Sequence, residues 1–176
     1  KISMCGISGY IGKKSFSYKV IDATLHLMKN RGPDFSNYYK SNFSKYNIYL
    51  LHSRLSIIDL KPRSHQPFKL DNNIIIFNGE IYNYIELKQE LKNKGIYTRT
   101  ASDTEIILHY YNLYGDKCVN YFEGMWSFAI FNIKSKELFL SRDRFGEKPL
   151  IYLETDDGLY FGSEIKFIKN LFENKL

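Results

Sequence analysis

The chain has 176 residues, a length that fits one domain with a sizeable core. Hydrophobic residues make up 44% of it and aromatic residues 16%, which is typical of a globular protein and excludes a disordered one. The net charge is +6, but the lysines are scattered and form no long run of like charges, so we expect no nucleic-acid partner. No apolar run approaches the roughly 20 residues that cross a bilayer. These properties predict a cytoplasmic domain without a membrane partner.

The cysteines and histidines show no pattern of a metal site. Two cysteines, Cys5 and Cys118, are too few for a disulfide framework, and neither CxxC nor CxxH spacing occurs. The four histidines likewise lack the HExxH spacing and are interpreted as solvated or packed side chains. Cys118 lies in a helical stretch and is interpreted as a small buried hydrophobe. We therefore expect no bound metal.

The first half of the chain alternates predicted strands and helices. Alternation of apolar residues with glycine predicts a strand over 7–11, and apolar spacing predicts a helix over 20–29. Continuous apolar runs predict strands at 47–52 and 74–77. The second run is expected to stop at Asn78-Gly79, because this pair is typical of a tight turn with positive φ.

The second half adds two capped helices and a group of strands. Asn83 with Glu86, and Ser102 with Glu105, resemble capping boxes that begin two helices. Four strand-like segments follow, at 126–132, 137–142, 150–153 and 159–162, before a final helix that begins at Ser163. Their connections are short, which favours antiparallel pairing. The pattern predicts an α+β fold, mainly antiparallel sheet with helices on its faces.

Cys5 is the candidate nucleophile because it directly follows Met4. If the chain began at Met4 and that residue were removed, Cys5 would carry a thiol and a free α-amine, a nucleophile with its own base. The sequence starts at Lys1, and in that form the amine is part of a peptide bond. Whether the residues before Cys5 are removed is therefore the central question for activity.

Three further positions suit the handling of an amino acid. The Asn78 amide and the Gly79 N–H can both point at one developing oxyanion, although the same pair can be a simple turn. Arg54 can grip a carboxylate in bidentate fashion, and Asp103 can receive an ammonium group. The alternatives are a surface charge for Arg54 and, for Asp103, a helix N-terminal residue favoured by the macrodipole.

Nine motifs in the family's order resemble the glutaminase domain of glutamine-hydrolysing asparagine synthetases, a class II, N-terminal-nucleophile glutamine amidotransferase. They are MCGISGYIG at 4–12, RGPD at 31–34, RLSIIDL at 54–60, HQPF at 65–68, NGEIYNY at 78–84, SDTE at 102–105, GMWSFAIFN at 124–132, SRDRFGEKPL at 141–150 and GSEIK at 162–166. Hexosamine-phosphate synthases share the cysteine and the NG pair, whereas RLSIIDL, NGEIYN and RDRFGEKPL follow the asparagine-synthetase style. That branch also contains synthetase-like amidotransferases that modify other acceptors.

The resemblance implies a fold and a set of roles. The fold is a four-layer αββα sandwich of two mainly antiparallel sheets, the N-terminal nucleophile hydrolase type. Cys5 attacks the side-chain amide of L-glutamine with its own α-amine as base, and Asn78 and Gly79 form the oxyanion hole. Arg54 holds the α-carboxylate of glutamine, while Glu80 and Asp103 hold its α-ammonium. The RLSII segment adds the remaining predicted substrate contacts, Leu55, Ser56, Ile57 and Ile58.

The resemblance also implies a domain organisation. Residues 1–176 form a single glutaminase domain, and the family's C-terminal ATP-dependent synthetase domain, with its SGGxDS loop, is absent from the sequence. The glutaminase half needs no metal or organic cofactor, and ATP and Mg²⁺ belong to the synthetase domain. The predicted partners are L-glutamine and the synthetase domain of the same polypeptide, with a homodimer left open. Aspartate is the default ammonia acceptor, and a sugar acid or another carboxylate is the alternative.

Two expectations concern activity. The form that carries Lys1–Met4 is expected to be inactive or nearly so, because its Cys5 amine cannot act as a base. The other function left open is a catalytically silent domain that binds glutamine or docks onto a synthetase.

Overall fold

The computed structural model describes residues 4–56 and 58–174, which form two antiparallel sheets between two pairs of helices. The strands are β1 (Gly6–Gly12), β2 (Phe35–Phe43), β3 (Tyr46–Arg54), β4 (Phe68–Leu70), β5 (Asn73–Ile81), β6 (Gly124–Asn132), β7 (Leu138–Arg142), β8 (Ile151–Thr155) and β9 (Gly158–Gly162). The helices are α1 (Tyr18–Met28), α2 (Tyr84–Asn93), α3 (Asp103–Tyr114) and α4 (Ile165–Glu173). Short 3₁₀ segments lie at Pro62–Ser64 and Gly115–Tyr121.

The first sheet places the start of the chain beside the end of β3. Its strand order is β2-β3-β1-β9-β8, with β1 in the centre and paired to both β3 and β9. In the antiparallel register Gly6 faces Ser53, so the residue before β1 lies next to the residues that follow β3. Cys5 and Arg54 are neighbours for this reason.

The second sheet has the order β4-β5-β6-β7, and β5 continues through Asn78 and Gly79 to Ile81. The predicted turn at Asn78-Gly79 is therefore wrong, since Gly79 pairs with Trp126 of β6. Glycine is needed here because β6 comes very close: a Cβ on Gly79 would collide with the Met125 carbonyl oxygen. A long-range contact between strands, and not local turn geometry, explains why position 79 is a glycine.

Three apolar layers hold the four layers of secondary structure together. β3 shows why, because its side chains alternate: Ile48 and Leu50 face the second sheet, while Tyr49 and Leu51 face α1 and α4. The third layer lies between the second sheet and the helices α2 and α3. Burial on both faces explains the continuous apolar runs of the central strands. The αββα sandwich is confirmed.

Some predicted strands and helix caps differ from those in the structure. The polar edge strand β2 and the short β4 were not predicted, because β2 is half-exposed and rich in Ser, Asn and Lys. The capping box at Asn83 is wrong, since its side chain bonds Glu123 N–H and the Tyr121 carbonyl instead. Ser102 does cap α3 by accepting from Thr104 N–H.

Candidate active site

The predicted site residues gather in one cleft, where the chain before β1, the end of β3, the middle of β5 and the start of α3 meet. The empty space in the cleft is about 610 Å³, part of which is open to solvent. Its lining residues are Met4, Cys5, Arg54, Leu55, Ile58, Ser64, Gln66, Phe77, Asn78, Gly79, Glu80, Ser102, Asp103, Thr104, Met125 and Lys148. Eight of the nine predicted catalytic or binding residues that the structure describes are among them.

The remaining predicted residues are accounted for as follows. Ser56 is not part of the lining; its backbone N–H donates to the Asp34 carboxylate at 2.7 Å, which ties the segment after β3 to the RGPD motif. Ile57 lies outside the described residues.

Cys5 is half-buried and held from two sides. Its Sγ accepts a hydrogen bond from Leu55 N–H at 3.3 Å and lies 3.5 Å from the Leu55 carbonyl oxygen. The Arg31 guanidinium donates to the Cys5 carbonyl at 2.9 Å and pairs with Glu164 at 3.2 Å. Arg31 of the RGPD motif thus anchors the backbone of Cys5, the candidate nucleophile.

The thiol is not activated by its surroundings alone. Burial raises the pKa of Cys5, and this effect outweighs the Leu55 N–H and the positive charges of Arg54 and Arg31, which lower it. The thiolate is the reactive form of cysteine. A base that takes the thiol proton is therefore required for attack at neutral pH.

Arg54 is the last residue of β3 and is only 4% exposed. The segment that follows it in the chain contacts its side chain. Its guanidinium donates to the backbone carbonyls of Ile58 at 3.2 Å, Asp59, and Lys61 at 3.4 Å. Within the described part of the chain, no carboxylate forms an ion pair with it. Its positive charge is fixed in direction and can bind an anion in the cleft.

Asp103 and Glu80 place negative charge in the same cleft as this arginine. Asp103 is 4% exposed, accepts from Ile81 N–H at 3.1 Å and lies 3.4 Å from the Ser102 hydroxyl. Burial, with a smaller contribution from Glu80, raises the pKa of Asp103 to about 6 against those hydrogen bonds. Neither carboxylate has an ion-pair partner among residues 4–56 and 58–174. A bound ammonium group would supply the missing counter-charge.

The loop that presents Asp103 is fixed by a buried carboxylate, Glu105. Its oxygens accept from Arg99 N–H at 3.0 Å, and from Thr100 N–H at 2.7 Å and Thr100 hydroxyl at 2.6 Å. Burial raises the pKa of Glu105, but these bonds and His109 lower it to about 2. This is why a Glu in SDTE does not close the predicted capping box.

The oxyanion-hole candidates lie on a strand that is held from outside its own sheet. Asn78 is 1% exposed and its amide nitrogen lies 3.5 Å from the Ser127 hydroxyl. The preceding residue, Phe77, donates its N–H to the Gln66 side chain at 2.6 Å. Its carbonyl oxygen lies 3.1 Å from His52 Nε2. Burial lowers the pKa of His52 to about 3, so the ring is neutral and donates from Nε2.

The sequence analysis missed Gln66 and Lys148 as cleft residues, and interpreted His52 only as a solvated or packed side chain. Gln66 also donates to the Thr104 hydroxyl at 3.3 Å, which links β5 to α3. The HQPF and RDRFGEKPL motifs contained the signal, but only the fold shows which of their side chains enter the cleft.

Two properties of the described residues bear on ligands and location. No three side chains of the His, Cys, Asp and Glu types lie together as a metal site would require, within the segments 4–56 and 58–174. None of the helices in those segments has the length and apolarity to cross a membrane.

Solved structures support the fold. The glutamine phosphoribosylpyrophosphate amidotransferase of B. subtilis, complexed with ADP and GMP, matches with a TM-score of 0.79 at 20% sequence identity. The match covers 98% of this chain and 44% of that one. A structure described as the allosteric regulatory enzyme of purine biosynthesis matches with a TM-score of 0.76 at 19% identity, over the same shares.

Sequence relatives share more with the chain. A Methanocaldococcus jannaschii protein, provisionally named glutamine-hydrolysing asparagine synthetase 2, is 41% identical over 94% of this chain and 35% of its own length. Glutamine-hydrolysing asparagine synthetase 3 of Bacillus subtilis is 36% identical over 94% of this chain and 27% of its own. The chain thus spans roughly a quarter to a third of the length of these relatives.

A family profile described as "Glutamine amidotransferase domain" matches residues 4–175. The match includes the whole cleft and nearly the whole sequence. The chain belongs to the glutamine amidotransferase domain family.

Proposed function

We propose that this domain hydrolyses L-glutamine to L-glutamate and ammonia, with Cys5 as the nucleophile. The observation that carries the proposal is the arrangement of unpaired charges in the cleft. Arg54 offers a positive charge, and Glu80 and Asp103 offer negative charges, in the same cleft, and none of the three forms an ion pair with another described residue. This pattern is complementary to the α-carboxylate and α-ammonium of an amino acid.

The reaction proceeds in two steps. In a chain that begins at Cys5, the α-amine takes the thiol proton while Sγ attacks the amide carbon of glutamine. The Asn78 amide and Gly79 N–H donate to the oxyanion. The C–N bond then breaks, the α-amine returns the proton to the leaving nitrogen, and ammonia departs from a thioester. Water, deprotonated by the same amine, attacks the thioester; the C–S bond breaks and releases glutamate and the thiol.

The residues before Cys5 bear directly on this chemistry. A peptide nitrogen cannot accept a proton as an amine does, so attachment of Met4 removes the base. The raised pKa of the Cys5 thiol makes this loss more severe, since little thiolate exists without a base. The proposal is that Lys1–Met4 must be removed before the domain is active.

The ammonia is proposed to serve an ATP-dependent synthetase domain of the same polypeptide. Support comes from the relatives, which bear the name glutamine-hydrolysing asparagine synthetase and are about three times as long as this chain. Aspartate is the default acceptor, and ATP and Mg²⁺ would be used in that other domain. We place the protein in the cytoplasm, where a free catalytic thiol stays reduced. A homodimer stays a prediction.

A glutamine-analogue electrophile tests the nucleophile. A chain that starts at Cys5 is treated with a diazoketone analogue of L-glutamine, digested, and mapped by mass spectrometry. We expect one label, on Cys5, that excess L-glutamine prevents. Cys118 is an internal control because it is fully buried and burial raises its pKa to about 12. A label on Cys118, or none at all, would contradict the proposal.

The second candidate is a silent glutamine-binding domain, and the peptide bond between Met4 and Cys5 favours it. Chains starting at Lys1 and at Cys5 separate the two functions. If both bind glutamine in calorimetry and neither releases glutamate, the silent domain is correct.

A further inference from the structure

The loop 142–148, from the RDRFGEK motif, is fixed by two side chains of its own. The Asp143 carboxylate accepts from the N–H groups of Phe145 at 3.1 Å, Glu147 at 2.9 Å and Lys148 at 2.9 Å. It also accepts from Trp126 N–H at 3.3 Å, which joins the loop to β6. Four donors on one carboxylate make this a rigid turn.

Arg142 completes the loop from the other side. Its guanidinium donates to the Lys148 carbonyl at 2.9 Å and to the Gly146 carbonyl at 2.6 Å. Gly146 has φ +67°, and a Cβ there would lie 2.6 Å from the Arg142 guanidinium, so only glycine fits. Both the N–H and the carbonyl of Lys148 are thus held, which directs its side chain.

That side chain enters the cleft without an anionic partner. Lys148 is 6% exposed, and its Nζ lies 2.9 Å from the Met4 Sδ. No carboxylate in the described part of the chain forms an ion pair with it. A thioether is a weak acceptor, and a buried ammonium without a carboxylate is costly. Such uncompensated charges cluster at functional sites.

Charged groups on several elements influence Lys148 or Cys5 electrostatically. Burial, and then the charge of Arg31, lower the pKa of Lys148, whereas Glu147, Cys5 and Glu80 raise it. Around Cys5, Arg54 and Arg31 lower the pKa of the thiol and Asp103 raises it. The groups to be considered are Arg31 after α1, Arg54 on β3, Glu80 on β5, Asp103 on α3, and Glu147 in the loop itself.

We propose that Lys148 is a positioning residue for proton transfer: its ammonium keeps the Cys5 α-amine uncharged and stabilises the thiolate that the transfer creates. The inference rests on the proposed function. Met4 joins the two groups, since its carbonyl carbon is bonded to Cys5 N and its Sδ touches Lys148 Nζ. In a chain that begins at Cys5, the free α-amine and the ammonium therefore share one side of the cleft, and like charges disfavour protonation of the amine.

Removing the charge gives a defined shift in pH dependence. Without the Lys148 ammonium the α-amine holds its proton more tightly, so its pKa rises and activity appears only at higher pH. For charges several ångströms apart in a partly buried site, we expect Lys148→Met to move the acid limb of the kcat/KM profile up by about one pH unit. Lys148→Arg keeps the charge and should keep the limb near its original position.

The experiment uses chains that begin at Cys5 and two readouts. The first is the kcat/KM profile for glutamine from pH 5 to 9. The second is the rate of Cys5 alkylation by iodoacetamide over the same range, because this neutral reagent does not depend on Arg54 or Asp103. Lys134→Met, at an exposed position in the β6–β7 turn, is the matched control and should leave both profiles unchanged.

Each result decides the proposal. An upward shift in both profiles for Lys148→Met, with the limb restored by Lys148→Arg, supports it. Lower rates with an unmoved limb indicate a packing role and overturn it, as does complete loss of activity at every pH in both variants, which would make Lys148 itself the base. If circular dichroism shows that Lys148→Met does not fold, Lys148→Gln is used in its place. Should glutamine turnover be absent from the parent chain, the proposed function fails while the alkylation profile still tests Lys148.

Discussion

Two groups of cleft residues, named here the binding side and the nucleophile side for their proposed roles, differ in what holds them. The binding side is defined by Arg54, Glu80 and Asp103; backbone hydrogen bonds fix Arg54 and Asp103, and the Glu105 network fixes the loop before Asp103. The nucleophile side, defined by Met4, Cys5 and Lys148, holds a thiol whose pKa is raised and whose proposed base exists only without Met4. The proposed mechanism therefore separates substrate recognition from chemistry: the first would use groups built into the fold, and the second would need the peptide bond before Cys5 to be cleaved.

The largest expected effect comes from the residues before Cys5. We expect the chain that carries Lys1–Met4 to lose a factor on the order of 10³ in kcat relative to the chain starting at Cys5, since a positioned base typically contributes 10²–10⁴. Glutamate release measures kcat, and intact mass confirms the start of each chain. Full activity with Lys1 attached would show that the α-amine is not the base.

The oxyanion hole should give the next largest effect. Asn78→Ala removes one donor and is expected to lower kcat by about 10²–10³, with a smaller change in KM. Steady-state kinetics on the chain starting at Cys5 provide the measurement. Asn174→Ala, at the exposed last described residue and outside the cleft lining, is the control and should leave kcat unchanged. An unaltered kcat in Asn78→Ala would remove Asn78 from the chemistry.

The binding side predicts the opposite kinetic signature. Asp103→Asn keeps the shape but removes the charge that would face the substrate ammonium, so KM should rise about 10–100-fold, the usual cost of a charged hydrogen bond. We expect kcat to change less. Asp116→Asn, on the exposed surface, is the matched control. A fall in kcat at constant KM would place Asp103 on the nucleophile side.

The pH dependence of binding sharpens the same point. Because burial raises the pKa of Asp103 to about 6, the carboxyl is protonated and neutral below that pH. The binding form is the carboxylate, so affinity for glutamine is full above pH 7 and falls as the pH decreases, with Kd up about tenfold at pH 5. Calorimetry on Cys5→Ala, which binds without turnover, gives Kd directly. A flat Kd from pH 7 to 5 would contradict the assignment; Asp103→Asn should itself be flat.

Particular residues show how much of the fold can be predicted from the sequence. The buried runs at Ile48 and Ile74 identify β3 and β5 because both faces of each strand are apolar. β2 was not predicted because an edge strand has no such pattern. The turn predicted at Gly79 was wrong because the strand partner of Gly79, Trp126, lies far along the chain. Local propensity carries no information about such pairings.

The site shows the same division. Cys5 behind Met4, and Arg54 and Asp103 as candidate groups for an amino acid, are visible in the sequence; the family resemblance implies a role for each of them. Lys148 and Gln66 become interpretable only in three dimensions, because a lysine in a loop and a glutamine before a proline have many ordinary explanations. Their meaning depends on the direction in which fixed backbone points each side chain.

Acid should weaken the support that His52 gives to β5, and this effect is on stability and not on turnover. His52 has a pKa of about 3 in the folded protein against 6.5 for an ordinary histidine, so the unfolded chain binds its proton first. Its stabilising contribution is thus complete above pH 6.5 and is lost as the pH falls toward 3, at up to about 1.4 kcal/mol per pH unit in the free energy of unfolding. Urea unfolding between pH 7 and 4 should show a shallower pH dependence for His52→Gln than for the parent chain. His26→Gln, exposed on α1, should keep the parent slope. Equal slopes in all three chains would mean that His52 does not stay neutral against the Phe77 carbonyl, and would leave Gln66 as the side chain that holds Phe77 from outside the sheet.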